Sequence, residues 1–125
     1  LVNYLQKNEK ENIVQVVPMS VTGAKKAELY YEELDNDGKH SLLEIHILTG
    51  RSHQIRVQLA NIGCPLYGDN KYGKNKSKST NNLGLWAGKL TFIHPTTKEK
   101  MVFMSMPDTT KLPWKNFKME KYFVR

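Results

Sequence analysis

Residues 49–63 (TGRSHQIRVQLANIG) crowd two guanidiniums, an imidazole and an amide, from Arg51, Arg56, His53 and Gln54, into a short stretch. The apolar residues Ile55, Leu59 and Ile62 recur at i, i+4 and i+7, which predicts an amphipathic helix over residues 51–62. Gly63 is placed to end that helix as its C′ residue, and Pro65 prevents it from continuing. A helix N-terminus presents free backbone N–H groups and the positive end of the helix dipole. Arginines there do not complement the dipole, so an anion, either phosphate or carboxylate, is expected to sit against Arg51 and Arg56. The same residues are also compatible with a solvated helix face.

Strands must position this segment. Residues 40–48 set Leu43, Ile45 and Ile47 on one face and Glu44 and His46 on the other, before Thr49-Gly50 breaks the pattern. In residues 26–34, Ala27, Leu29 and Tyr31 alternate with Glu28, Tyr30 and Glu32. Between them Asp35-Asn36-Asp37-Gly38 is a turn signal, so the two segments are predicted to form an antiparallel hairpin. Residues 13–17 (IVQVV) read as a strand stopped by Pro18, and residues 1–7 as the end of a helix. Residues 64–82 read as a mobile basic loop, with Lys71, Lys74, Lys76 and Lys78 set among Gly, Asn and Ser. Further strands are predicted at 89–93 and 101–106 around a turn at 94–100, then a terminal helix at 114–122. Trp86, Phe92 and Phe103 fall in apolar strand patterns and are expected in the core. With no internal repeat or linker, the expectation is one α+β domain, its sheet mixed but mainly antiparallel, with a few packed helices.

Composition narrows the partners. Nineteen Lys and Arg against twelve Asp and Glu give a formal charge of +7, which either attracts polyanions, nucleic acid first among them, or simply solubilises the chain. No apolar run approaches the roughly 20 residues a membrane helix needs, so no membrane partner is expected. The one cysteine, Cys64, excludes an internal disulfide framework and fits a reducing compartment. The histidines His40, His46, His53 and His94 lack the short ligand spacings of a zinc site, so no metal is expected.

TGRSHQIR, followed by LANIGCPLYGDNKYG, resembles the TGR-x-HQIR … G-x-P-hydrophobic-x-GD-x-x-YG element of RluA-type RNA pseudouridine synthases. The neighbours agree in order: Ala24-Lys25-Lys26-Ala27 with Tyr31 and Leu34 upstream, Leu85-Trp86-Ala87 with Leu90, Phe92 and His94-Pro95 downstream, then residues 101–107. The chain departs from the pattern at Gln58, where members commonly carry His.

That resemblance implies an isomerase that detaches uracil from C1′ of a uridine in ribosomal or transfer RNA and rejoins it through C5. It implies no cofactor; together with the cysteine usage and the lack of a membrane segment, a cytoplasmic, monomeric parent is expected. The family's catalytic aspartate lies in an upstream His-Arg-Leu-Asp element, and its uracil-stacking tyrosine in an earlier strand; neither is found here. Asp35, Asp37, Asp69 and Asp108 read instead as turn or loop residues. The chain, which opens at Leu1 without an initiator Met, is therefore expected to be a C-terminal portion of the catalytic domain and inactive alone. Arg56 matches the arginine that pairs with the catalytic aspartate. Without that partner it is expected to be under-neutralised and mobile. Arg51, His53, Gln54, Lys71 and Lys74 are expected to contact RNA or hold the site loop. Gly68, Asp69, Tyr72 and Gly73 are expected to shape that loop, with Asp69 capping or hydrogen-bonding it. The alternative is a non-catalytic RNA-binding module with a synthase-like fold. A DNA-reading helix is disfavoured because no second helix completes a helix-turn-helix.

Overall fold

A ladder of long-range backbone pairs, rather than local periodicity, decides the beginning of this chain. In the computed structural model, which describes residues 1–73 and 83–123, Val2–Asn8 is a strand (β1) and not the end of a helix. Seven residues are too few for a period of 2 to be told from one of 3.6. The strand is selected by its neighbours: Tyr4 to Asn8 pair with Val17 to Ile13 of β2 (Ile13–Val17), and Val2 to Leu5 with Glu28 to Lys25 of β3 (Lys25–Asn36). β3 also pairs antiparallel with β4 (Ser41–Ile47), giving the sheet order β2-β1-β3-β4. The predicted hairpin turn is present but begins later, because β3 runs on to Asn36 through a register irregularity at Glu33/Asp35. Gly38 takes φ +92°, and the Asp37 carboxylate accepts the N–H groups of Lys39 and His40.

One face of this sheet carries Leu5, Val14 and Ala27, which form a buried cluster with Val57 of the helix α1 (Gln54–Asn61); Val16 and Tyr72 pack against it. Burying a Leu or Val side chain contributes about 1.5–3 kcal/mol. The helix starts at Gln54 rather than Arg51 and ends as expected, with Gly63 at φ +82°. Its buried face differs from the predicted stripe. Leu59 is buried, but Ile62 is exposed, and Gln54, Val57 and Gln58 complete the inward side. Two glutamines can face inward because β3 carbonyl oxygens, Glu28 O and Ala27 O, accept their amide N–H groups there.

The structure divides into two compact units, Leu1–Leu83 and Gly84–Arg125. The second unit holds the antiparallel hairpin of β5 (Lys89–Ile93) and β6 (Lys100–Met104). The His94 ring Nδ1 accepts the N–H groups of Thr96 and Thr97 and so closes its turn. The predicted terminal helix is two short 3-10 turns, Trp114–Asn116 and Met119–Tyr122. Trp86, Phe92 and Phe103, expected in the core, are 45%, 38% and 51% exposed. Alternation tells which side chains share a face, but not whether a second layer covers it. The described structure is thus α+β, with one α-helix and only antiparallel pairings among the described residues. No described helix is long and apolar enough to cross a membrane.

Candidate functional site

β4 stops pairing with β3 at Ile47, one residue short of Glu28, and side chains take over the ladder from there. Leu29 bonds toward Leu1 on the β1 side, so the polar groups of Glu28 and Lys26 face the side that β4 has left. Glu28 N–H donates to Thr49 Oγ1 (2.8 Å), and Glu28 O accepts from Gln54 Nε2 (3.1 Å) and Leu48 N–H (2.9 Å). Lys26 O accepts from Arg51 Nε at 2.7 Å. Gln54 Oε1 in turn accepts the Thr49 hydroxyl (2.7 Å) and Arg51 N–H (3.0 Å). Arg51 and Gln54 therefore hold the turn onto the sheet edge. Gln54 does so from within, while Arg51 remains exposed.

The turn delivers the helix through His53, which adopts the left-handed conformation at φ 51°, ψ 21°. Such a backbone is uncommon outside glycine and asparagine and persists where its surroundings hold it. Here the anchor is Tyr72, whose oxygen lies 2.6 Å from His53 Nδ1 and accepts Val14 N–H at 3.0 Å. Burial, then the positive charges of Arg56, Lys71 and Lys7, push the His53 imidazole below its usual range. Burial pushes the Tyr72 phenol up, so it stays protonated. Neutral His53 then accepts the Tyr72 hydroxyl proton at Nδ1 and carries its own proton on Nε2, a tautomer assigned from these bonds.

The linkage has a definite sign. The folded chain holds His53 with a lower pKa than the unfolded chain, in which it is about 6.5. The unfolded state binds more protons in that window, so this contribution to stability is complete above it and is lost as pH falls through it. Asparagine tolerates the same backbone without titrating. In thermal unfolding from about pH 8 down to 5, His53→Asn should lose less stability than the native sequence. Parallel pH dependences would show that His53 does not carry the effect.

Arg56, in the first turn of α1, does not stand unpartnered as expected. Its Nε donates to Asp69 Oδ2 (3.0 Å) and its Nη2 to Asp69 Oδ1 (2.9 Å), while its guanidinium carbon lies 5.1 Å from the Tyr72 ring centroid. The reason is the GD-x-x-YG loop, which folds back so that Asp69 reaches the helix. Asp69 Oδ1 also accepts the N–H groups of Lys71 and Tyr72, both at 3.1 Å. Burial alone would raise the Asp69 pKa, but the Arg56 bonds and these two N–H groups outweigh it and keep the carboxylate ionised. Asp69 in turn draws the Arg56 pKa up. The Asp69 side chain is 0% exposed and that of Arg56 21%, so the pair is closed on the acid side and open on the cation side. A carboxylate so enclosed is committed to Arg56 and to the N–H groups of its own loop.

Gly68 takes φ +73°, and Gly73 N–H closes the loop on Asp69 O. Lys71 reaches back, its Nζ donating to Asn12 O at 2.7 Å. Lys74, with Lys76 and Lys78, lies outside the described residues. His53, Arg56, Asp69 and Tyr72 thus form one cluster, with Lys71 at its margin and Arg51 and Gln54 supporting it from the sheet edge. Two contributors were missed, Thr49 and Gln58. Gln58 is fully buried and donates through Nε2 to Asn3 Oδ1 (3.0 Å) and Ala27 O (3.2 Å). The available signal was its i, i+4 spacing from Gln54, which puts both amides on one helix face.

Comparison with known proteins points the same way. Residues 1–61 match the family described as RNA pseudouridylate synthase. The chain is 43% identical over 86 residues to the uncharacterized RNA pseudouridine synthase YlyB of Bacillus subtilis, covering 68% of this chain and 28% of that protein. It is 36% identical over 108 residues to the uncharacterized RNA pseudouridine synthase MG209 homolog of Mycoplasma pneumoniae, covering 85% of this chain and 35% of the relative. The YhcT protein of Bacillus subtilis, also named as an uncharacterized RNA pseudouridine synthase, is 42% identical over 82 residues, 64% of this chain and 27% of its own length. The chain therefore spans about a third or less of the length of these relatives.

Proposed function

We propose, since this chain belongs to the RNA pseudouridylate synthase family, that it is the C-terminal portion of the catalytic domain of an RNA pseudouridine synthase. The whole protein isomerises uridine in ribosomal or transfer RNA, in the cytoplasm, as a monomer and without a cofactor. The reaction needs a carboxylate, as nucleophile on the sugar or as the base that starts glycosidic cleavage, and that residue lies upstream of the segment described.

The observation that supports this reading best is Arg56. Its guanidinium is held at one edge by an enclosed acid, and its remaining donors, which have no acceptor among the described residues, can receive a second carboxylate. An arginine in that place keeps a desolvated aspartate ionised and fixes both its oxygens, which a lysine does less well. Arg51, Lys71 and Lys74 supply positive charge for the RNA backbone. His53 and Gln54 shape the site through Tyr72 and the β3 edge. The target uridine has to leave its stack to reach such a site.

The test is tritium release from RNA labelled at uridine C5, the position that loses its hydrogen when the new glycosidic bond forms. The expected result is release by a protein extended upstream through the acidic element and none by residues 1–125 alone. Release by this chain alone would place the acid within it. Silence from both on unmodified RNA would favour a non-catalytic binding module.

A further inference from the structure

We infer that Asp69 is a positioning residue for the proposed reaction: it presets Arg56 so that the guanidinium's free edge meets the reacting carboxylate. The inference rests on the synthase reading and adds to it a residue and a device. A guanidinium has five N–H donors in a rigid fork. Asp69 takes Nε and one Nη2 donor, at 3.0 and 2.9 Å, which fixes the plane and the rotation of the group. The Tyr72 ring lies against the same guanidinium, and its hydroxyl is itself tied to Val14 and His53, so the support beneath Arg56 is also fixed. The other donors, on Nη1 and the second Nη2 position, have no acceptor among the described residues. They belong to the side chain that is partly open, whereas Asp69 is shut off from solvent.

Two features separate this arrangement from an ordinary loop bond. Asp69 does not need Arg56 to hold the loop, because Lys71 and Tyr72 N–H groups and the Gly73 bond to its carbonyl already close the turn. Nor does α1 need Arg56 to pack, since Val57 and Leu59 supply its buried apolar contacts. The bidentate pair therefore adds orientation to a cation whose remaining edge has no acceptor among the described residues. A flexible arginine would have to be ordered in each catalytic cycle, and one already clamped does not.

The experiment compares the full-length protein with its Asp69→Asn variant. Asparagine keeps the volume and one oxygen for the Lys71 and Tyr72 N–H groups but sets an amide N–H against Arg56. The expected result is a fall in kcat of at least about tenfold with KM for RNA within about threefold. Leu42→Ala, a cavity in the β3–β4 hairpin, serves as the control for lost stability and should lower Tm without lowering kcat. An equal loss of kcat in the control, or full kcat in Asp69→Asn, would overturn the positioning role while leaving the synthase reading intact. An inactive wild-type protein would overturn both. If Asp69→Asn does not fold, Asp69→Glu is read in the same way, since it keeps the charge but displaces the oxygens by one methylene.

Discussion

Replacing Arg56 by alanine in the full-length protein is expected to lower turnover by about 10²- to 10³-fold, the scale typical of removing one preorganised electrostatic group. RNA affinity should stay within about threefold, because the partner of this arginine is a carboxylate rather than a phosphate. Single-turnover tritium release and filter binding, run side by side, separate the two quantities. A large loss of affinity with residual normal turnover would show that Arg56 serves the RNA backbone. The structure adds a second effect. Asp69 is enclosed, and without the guanidinium its carboxylate keeps only the two backbone N–H donors. Stranding one partner of a buried pair costs about 3–5 kcal/mol, and Arg56 is partly open, so the lower end of that range applies. Assays therefore belong well below the variant's own Tm. Arg56→Lys should retain more stability than alanine but recover little turnover, because an ammonium cannot hold two carboxylates in fixed planes.

Gly73→Ala is expected to be the most damaging change in the loop. A Cβ at this position would run into the Asp69 backbone carbonyl oxygen, which is also the acceptor of the Gly73 N–H. The obstructing atom is backbone, so relief requires opening the turn that carries Asp69 to Arg56. A cost of about 3 kcal/mol follows, at the upper end for overpacking. Because the same movement withdraws Asp69, the stability loss measured by chemical denaturation should be accompanied by loss of turnover under conditions where the variant remains folded. Gly50→Ala is the comparison: nothing lies within 4 Å of a Cβ there, and its effect should be slight. Equal stability of the two variants would mean that the loop does not close as described.

Much of the fold could be read from residue order because the deciding interactions are local. The β3–β4 hairpin carries its alternation and its turn residues within one stretch, and β2 is bounded by its own proline. The end of α1 follows from Gly63, whose φ of +82° suits no other residue type as well. The same holds for the family, since the TGR-x-HQIR and GD-x-x-YG elements keep their identity and spacing whatever surrounds them.

Tertiary structure decided the rest. Strand β1 exists because β2 and β3 lie on either side of it, which no local period reports. Gln54 and Gln58 turn inward because each amide meets a β3 carbonyl oxygen there, Glu28 O and Ala27 O respectively, and an amide is worth burying only where such partners exist. Phe92 and Phe103 lie in an apolar pattern yet stay exposed, their rings stacked 5.9 Å apart, because alternation does not supply the layer that would cover them. Arg56 is the sharpest case. The family resemblance implied a residue awaiting a carboxylate, but only the fold of the loop thirteen residues on showed that Asp69 is bound to it. Residue types and spacing determine which groups are available for chemistry. Which of them are satisfied, and which edge of a guanidinium is left free, depends on chain segments that meet only after folding.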